Sequence, residues 1–233
     1  MSRPPYLPVY VFARAPVPGE TKTRLARVLG DHAAARLYEA FLEDTLATCL
    51  SVPEADVSLY CAGDPHHPAL RRIADAYRVP RVPQPAGDLG ERLRAVFERE
   101  CGEGDAAGGA SDQRVIAIGS DAPTMRAERL IDAGIALLRA DLVAGPAADG
   151  GFYLLGARGA VPSFEGVRWS TEHTLEDVTR ANEGARWETL APGYDVDTAE
   201  GLRLLRVHLA TDRAAAPRTR EALRAIDSGL EET

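Results

Sequence analysis

The 233-residue sequence predicts an α/β fold built on one mostly parallel sheet with helices on both faces. Three observations predict it. Short apolar runs rich in β-branched residues recur along the chain. Segments with helical apolar periodicity separate them, and Pro- or Gly-rich turns punctuate the junctions. The length suits a single domain with one substantial core, and 1–233 is read as one unit.

Leu7 to Ala13 (LPVYVFA) is a short buried-strand pattern between prolines. After a polar loop, Asp31 to Leu50 carries Ala34, Leu37, Tyr38, Phe41, Thr45 and Leu46 at helical spacing. Val57 to Cys61 reads as a second strand, Pro68 to Tyr77 as a helix and Val79 to Val82 as a third strand. Asp88 to Glu100 reads as a helix opened by Asp88 and Glu91 at capping-box spacing. Gly102 to Gln113 (GEGDAAGGASDQ) is low in complexity and reads as a flexible surface loop. Strands follow at Arg114 to Ile118, Leu142 to Ala144, Phe152 to Leu155 and Trp187 to Leu190. The intervening helices are expected at Glu128 to Arg139 and Thr171 to Glu183, and the closing ones at Thr198 to Leu209 and Pro217 to Ile226.

Bulk properties exclude several classes. No run approaches the roughly 20 apolar residues of a membrane helix. Met1 to Pro8 lacks the basic and apolar regions of a secretory signal, so a cytoplasmic location is expected. A net charge of −8 argues against nucleic acid as partner. Cys49, Cys61 and Cys101 match no zinc spacing, and the two of them that sit within apolar runs read as buried small hydrophobes.

In open α/β sheets ligands sit beyond the carboxyl ends of strands, which ranks the polar loops as sites. Arg14 to Leu25 (RAPVPGETKTRL) follows the first strand. Arg14, Lys22 and Arg24 with Gly19 suit a phosphate cradle, although a solvated basic turn has the same composition. Gly119 to Thr124 (GSDAPT) follows the VIAI strand. Asp121 is the best single ligand there for Mg²⁺, or Mn²⁺, unless it only caps a turn. In Gly145 to Tyr153 (GPAADGGFY), Asp149 could position an acceptor, act as base or help bind metal. Gly150 and Gly151 open space for the acceptor, and a plain Asp-Gly turn is the competing reading. Tyr194 to Thr198 (YDVDT) offers Asp197, then Asp195, as a second metal contact, or Asp197 or Thr198 as a helix cap. Gly87, Asp88 and Gly90 in QPAGDLGERL suit the wall of a base or acceptor pocket. Trp169, Ser170 and Thr171 suit acceptor contact or packing.

Taken in order, PVPGETKTRL, QPAGDLGERL, GSDAPT, GPAADGGFYLLG, WST and DVDTAEG resemble a bacterial glycosyltransferase-A-like family of the nucleotide-diphospho-sugar transferase superfamily. The resemblance spans roughly Pro8 to Leu205. It implies a Rossmann-like sheet, a divalent metal on Asp121 and Asp197, a nucleotide or nucleotide-sugar donor, and phosphate contact by Lys22 and Arg24. Two positions depart from the family pattern: Phe152 stands for its Tyr, and Gly201 for an acidic residue. The Lys-Thr-Arg loop is also similar to the triphosphate-binding loop of phospholactate guanylyltransferases.

Two transfers fit these residues. A glycosyltransferase would move a sugar from a nucleotide-diphosphate donor to a small acceptor. A nucleotidyltransferase would join a nucleoside triphosphate to a phosphorylated small molecule and release pyrophosphate. The DGG loop, suited to hydroxyl recognition, makes sugar transfer the first expectation, with Asp149 and Lys22 as the catalytic residues. A nucleotide-binding regulator without catalysis is a third reading, opposed by three retained carboxylates, Asp121, Asp149 and Asp197. Oligomeric state is not legible in the sequence.

Overall fold

The computed structural model describes residues 6–102 and 113–229. In chain order the elements are β1 (Leu7–Arg14), α1 (Thr23–Leu29), α2 (Asp31–Leu50), β2 (Ala55–Ala62), α3 (Pro68–Tyr77), β3 (Arg81–Pro83), α4 (Leu89–Cys101) and β4 (Arg114–Gly119). There follow α5 (Ala127–Ala136), β5 (Leu142–Pro146), β6 (Phe152–Arg158), α6 (Thr174–Ala181), β7 (Trp187–Thr189), α7 (Ala199–Thr211) and α8 (Pro217–Asp227). The expected low-complexity loop falls largely on residues 103–112, outside the described set.

The seven strands form one mixed sheet in the order β3-β2-β1-β4-β6-β5-β7. Strand β6 runs antiparallel to both of its neighbours, β4 and β5, and every other pairing is parallel. Side-chain alternation in β1 divides the core. Val9, Val11 and Ala13 pack under α2, α3 and α5, against Leu46, Ile73 and Leu130. Tyr10 faces the other way and joins Leu93, Val96 and Phe97 of α4 and Val178 of α6. Both faces of the central strands are thereby covered, which is why β1 reads as a continuous apolar run rather than an alternating one. A third cluster, around Leu25, Leu37, Phe41, Leu205 and Leu223, ties α1 and α2 to α7 and α8. Among the described residues no helix is long and apolar enough to cross a membrane.

Helix α1 departs from the sequence expectation of a continuous loop before Asp31. It has seven residues, of which Leu25 alone is buried, so it shows no apolar period. The third strand starts at Arg81 rather than Val79, and α5 ends at Ala136 rather than Arg139. Helix α6 starts at Thr174, because Thr171 lies in a turn whose hydroxyl donates to the Arg168 carbonyl at 2.9 Å. All three cysteines are buried and free. Burial raises the Cys49 thiol to about 12 and the Cys61 and Cys101 thiols to about 11, as apolar surroundings demand.

Candidate active site

Strands β1, β4, β5 and β7 end on the same edge of the sheet, and antiparallel β6 begins there. The loops named by the sequence therefore meet at one place. A cavity of about 630 Å³ opens between the β1 and β4 ends. Arg14, Lys22, Arg24, Gln84, Gly87, Asp88, Arg92, Asp121, Trp169, Ser170 and Asp197 are among its lining residues. A second cavity of about 300 Å³ adjoins it. Asp149, Gly151, Phe152, Thr171 and Asp195 line that one, and Ser170, Asp121 and Asp197 border both.

The loop after β1 is held by its own polar groups. The Thr21 hydroxyl donates to the Ala15 carbonyl at 2.8 Å, and the Arg14 amide donates to the Tyr38 hydroxyl at 3.1 Å. The Tyr38 hydroxyl also bonds the buried Ser120 hydroxyl at 3.0 Å, which joins the β1 and β4 loops from beneath. Lys22 takes the left-handed conformation, φ 54°, where the chain turns into α1. Its side chain is only 6% exposed. The ammonium pairs with Asp121 Oδ1 at 2.6 Å and with Asp197 Oδ1, close to the rings of Tyr38 and Phe41. Burial works against that charge, but the attraction of Asp121 and Asp197 outweighs it and raises the lysine above its ordinary range.

Asp197 reaches Asp121 because the backbones are tied: the Val196 amide donates to the Asp121 carbonyl at 2.8 Å. Capping does not compete, since the Thr198 hydroxyl caps α7 by accepting from the Gly201 amide at 3.2 Å. Asp195 faces the second cavity. Burial first, then the neighbouring carboxylates of Asp121, Asp149 and Asp197, push its carboxyl up to about 7. The site thus holds four aspartates around one buried ammonium.

Several predicted residues have structural duties instead of, or beside, ligand contact. Asp88 caps α4: its carboxylate accepts from the Glu91 amide at 2.9 Å, while the Glu91 carboxylate accepts from the Asp88 amide at 2.8 Å. Asp149 accepts from the Gly151 amide at 2.9 Å, so the Asp-Gly turn between β5 and β6 is real and leaves one carboxylate oxygen for the cavity. Gly150 (φ 87°) does not reach either cavity. It packs on the Glu172 carbonyl, where a Cβ would lie 2.0 Å from the oxygen. Gly19 likewise lies off the cavity, in the turn before Lys22, with Asp31 beside it. Gly90 makes room for Trp169, whose ring would stand 2.8 Å from a Cβ. That ring also packs on Phe164 at 5.7 Å, so Trp169 is both core and cavity wall.

Arg92 and Gln84 line the first cavity but were not singled out from the sequence. The signal available was Arg92's place four residues after the Asp88 cap, on the same side of α4. Among the described residues no three Asp, Glu, His or Cys side chains are grouped to hold a metal alone. Two carboxylates, Asp121 and Asp197, converge on the point held by the Lys22 ammonium. That pattern fits a hard cation shared with ligand phosphates, because Mg²⁺ usually takes one or two carboxylates plus substrate oxygens and water.

Comparisons with known proteins place the family and the fold. The chain is 39% identical over 185 residues to the 3-phospho-D-glycerate guanylyltransferase of Phenylobacterium zucineum, covering 77% of this chain and 81% of that protein. It superposes with a TM-score of 0.78 and 30% identity on a crystal structure from Desulfovibrio desulfuricans G20, assigned as a nucleotide-diphospho-sugar transferase, with 95% of each chain covered. At 13% identity and a TM-score of 0.52, glucosyl-3-phosphoglycerate synthase of Mycobacterium tuberculosis, solved with Mn²⁺ and UDP, shares the fold over 89% of this chain and 80% of its own. Residues 45–171 match the model of a family described as an uncharacterized protein conserved in bacteria. The chain belongs to that family, DUF2064, and has the nucleotide-diphospho-sugar transferase fold.

Proposed function

We propose that the protein is a metal-dependent nucleotidyltransferase that moves a guanylyl group from GTP to a small phosphorylated carboxylic acid of the 3-phosphoglycerate type. Its membership of the transferases rests on its relatives. The observation that carries the finer reading is the cavity at the β1 and β4 ends. There Arg14 and Arg24, without ion-pair partners among the described residues, meet the Lys22, Asp121 and Asp197 cluster. A triphosphate with its leaving pyrophosphate needs more positive charge than a sugar diphosphate, and this loop supplies it. The guanylyltransferase relative favours the same choice. Sugar transfer, the first expectation from the sequence, leaned on the DGG loop, and two of that loop's groups are accounted for by its turn: the Asp149–Gly151 bond and the Gly150 packing.

In the proposed reaction an oxygen of the acceptor phosphate attacks the α-phosphorus. A new P–O bond forms as the bond to the β-phosphate oxygen breaks, and pyrophosphate leaves with that electron pair. Arg14 and Arg24 are the candidate ligands for the departing phosphates, and Lys22 stands where it can exchange carboxylate contacts for phosphate contacts. Asp121 and Asp197 would hold the divalent ion, which when bound neutralises phosphate charge. Asp149 lines the adjoining cavity, where the acceptor is proposed to sit near Gly151, Ser170 and Thr171.

The test is pyrophosphate release with Mg²⁺, 3-phosphoglycerate and each of GTP, ATP, CTP and UTP, with the product identified by mass. Release with GTP that requires the acceptor is expected. No release from any triphosphate, together with turnover of a nucleotide-sugar, would return the site to sugar transfer.

A further inference from the structure

Arg92 enters the cavity from the opposite side of the sheet to α2, because α4 packs on the Tyr10 and Tyr60 face. Its Nε is shut off from solvent and has no hydrogen-bond partner among the described residues. The nearest acids in sequence are occupied, since Asp88 and Glu91 satisfy each other in the α4 cap. The Nε of Arg220 is likewise without a hydrogen-bond partner among the described residues, but the Nη groups of Arg114 and Arg220 do find acceptors. Arg114 bonds the Gly134 carbonyl at 2.9 Å, and Arg220 bonds the Leu209 and Asp212 carbonyls at 2.7 Å. The backbone of Arg92 is held from below, its carbonyl accepting from the Tyr60 hydroxyl at 3.3 Å. Tyr60 likewise anchors Gln84 through its carbonyl at 2.7 Å.

A guanidinium partly removed from water without an acceptor costs stability, and a ligand with paired anionic oxygens recovers it through the planar fork. We propose that Arg92 is a ligand-binding residue that takes a phosphate or carboxylate oxygen of a molecule in the strand-end cavity. This rests on that cavity being the nucleotide and acceptor site. Arg92 faces the ligand from α4, while Arg14, Lys22 and Arg24 face it from the β1 loop and the start of α1, so an anion is held between cations from two sides of the cavity.

The experiment compares wild type, Arg92→Met and Arg92→Lys. Calorimetry reads affinity for tripolyphosphate, for Mg²⁺-GTP and for 3-phosphoglycerate, and thermal denaturation reads the ligand-free proteins. The Met variant is expected to melt no lower than wild type without ligand, because it removes an unpaired charge. Its affinity for at least one anion should fall roughly 10- to 100-fold. Lysine, which keeps the charge but not the fork, should recover part of the loss. A loss confined to tripolyphosphate and GTP puts the oxygen on the nucleotide; a loss confined to 3-phosphoglycerate puts it on the acceptor. Unchanged affinity for all three overturns the proposal, as does wild type binding none of them. So does a Met variant that melts well below wild type while its folded fraction binds normally, which would make Arg92 a structural residue. Wild type that binds these anions but releases no pyrophosphate defeats only the guanylyl-transfer reading.

Discussion

Replacing Lys22 with methionine tests the centre of the proposed site, because it deletes the charge and keeps most of the stem volume. The ammonium is 6% exposed, whereas Asp121 and Asp197 are 38% and 42% exposed. Removing one partner of a fully buried pair costs about 3–5 kcal/mol. Here the stranded carboxylates regain water, which reduces the loss to about 1–2 kcal/mol. For a chain of this length that lowers Tm by roughly 2–8 °C. A divalent cation can stand in for the missing ammonium between the same two oxygens. Mn²⁺ should therefore raise the melting temperature of the variant by more than it raises that of wild type, through ordinary binding linkage. The assay is thermal denaturation of both proteins across a Mn²⁺ titration without nucleotide. A variant as stable as wild type, with no greater response to Mn²⁺, would refute the reasoning, since the two carboxylates would then need no cation between them.

Two further outcomes follow from single contacts. Gly150→Ala puts a Cβ 2.0 Å from the Glu172 carbonyl oxygen at φ 87°. It should cost at least about 2 kcal/mol in denaturant unfolding, and an unchanged midpoint would show that the β5–β6 turn is not built as described. Asp141 accepts from Arg186, and that hydrogen bonding, helped by the nearby charges of Arg186 and Arg158, holds its carboxyl down to about 2. Its contribution is complete above the unfolded value of 3.8 and is lost as pH falls toward 2, because the unfolded chain takes up the proton first. Asp141→Asn should thus narrow the stability gap to wild type as pH falls from 5 to 2 in urea titrations. A gap that stays constant across that range would exclude the pair as its source.

The alternation of apolar runs and helical stripes made the fold class legible, because burial on both faces leaves a strand such as Leu7–Arg14 with no choice of polar residues. The six loop motifs were legible for the same reason that strand ends gather ligands, and the structure brings all six to one edge through residues that line the two adjoining cavities. The fourth motif illustrates the limit. Asp149 could be named, but only the β5–β6 turn shows that one of its oxygens is spent on Gly151. Spacing gave Asp88 and Glu91 as a cap, and the cap exists, yet the sequence alone did not reveal that Arg92 Nε has no hydrogen-bond partner among the described residues. Short elements escaped as well: α1 buries one side chain, too few to leave a period.

What the sequence determined by itself was the α/β class, the order of its elements and the loops that carry charge, because these depend on local pattern and on chain direction. The tertiary structure decided which charges meet. Lys22 lies 99 residues before Asp121 and 175 before Asp197, and no local rule pairs them. Their meeting follows from β1 pairing with β4 and from the Val196 amide bonding the Asp121 carbonyl. Long-range backbone hydrogen bonds set that geometry, and with it the change of Lys22 from a loop cation to the counter-ion at the centre of the site.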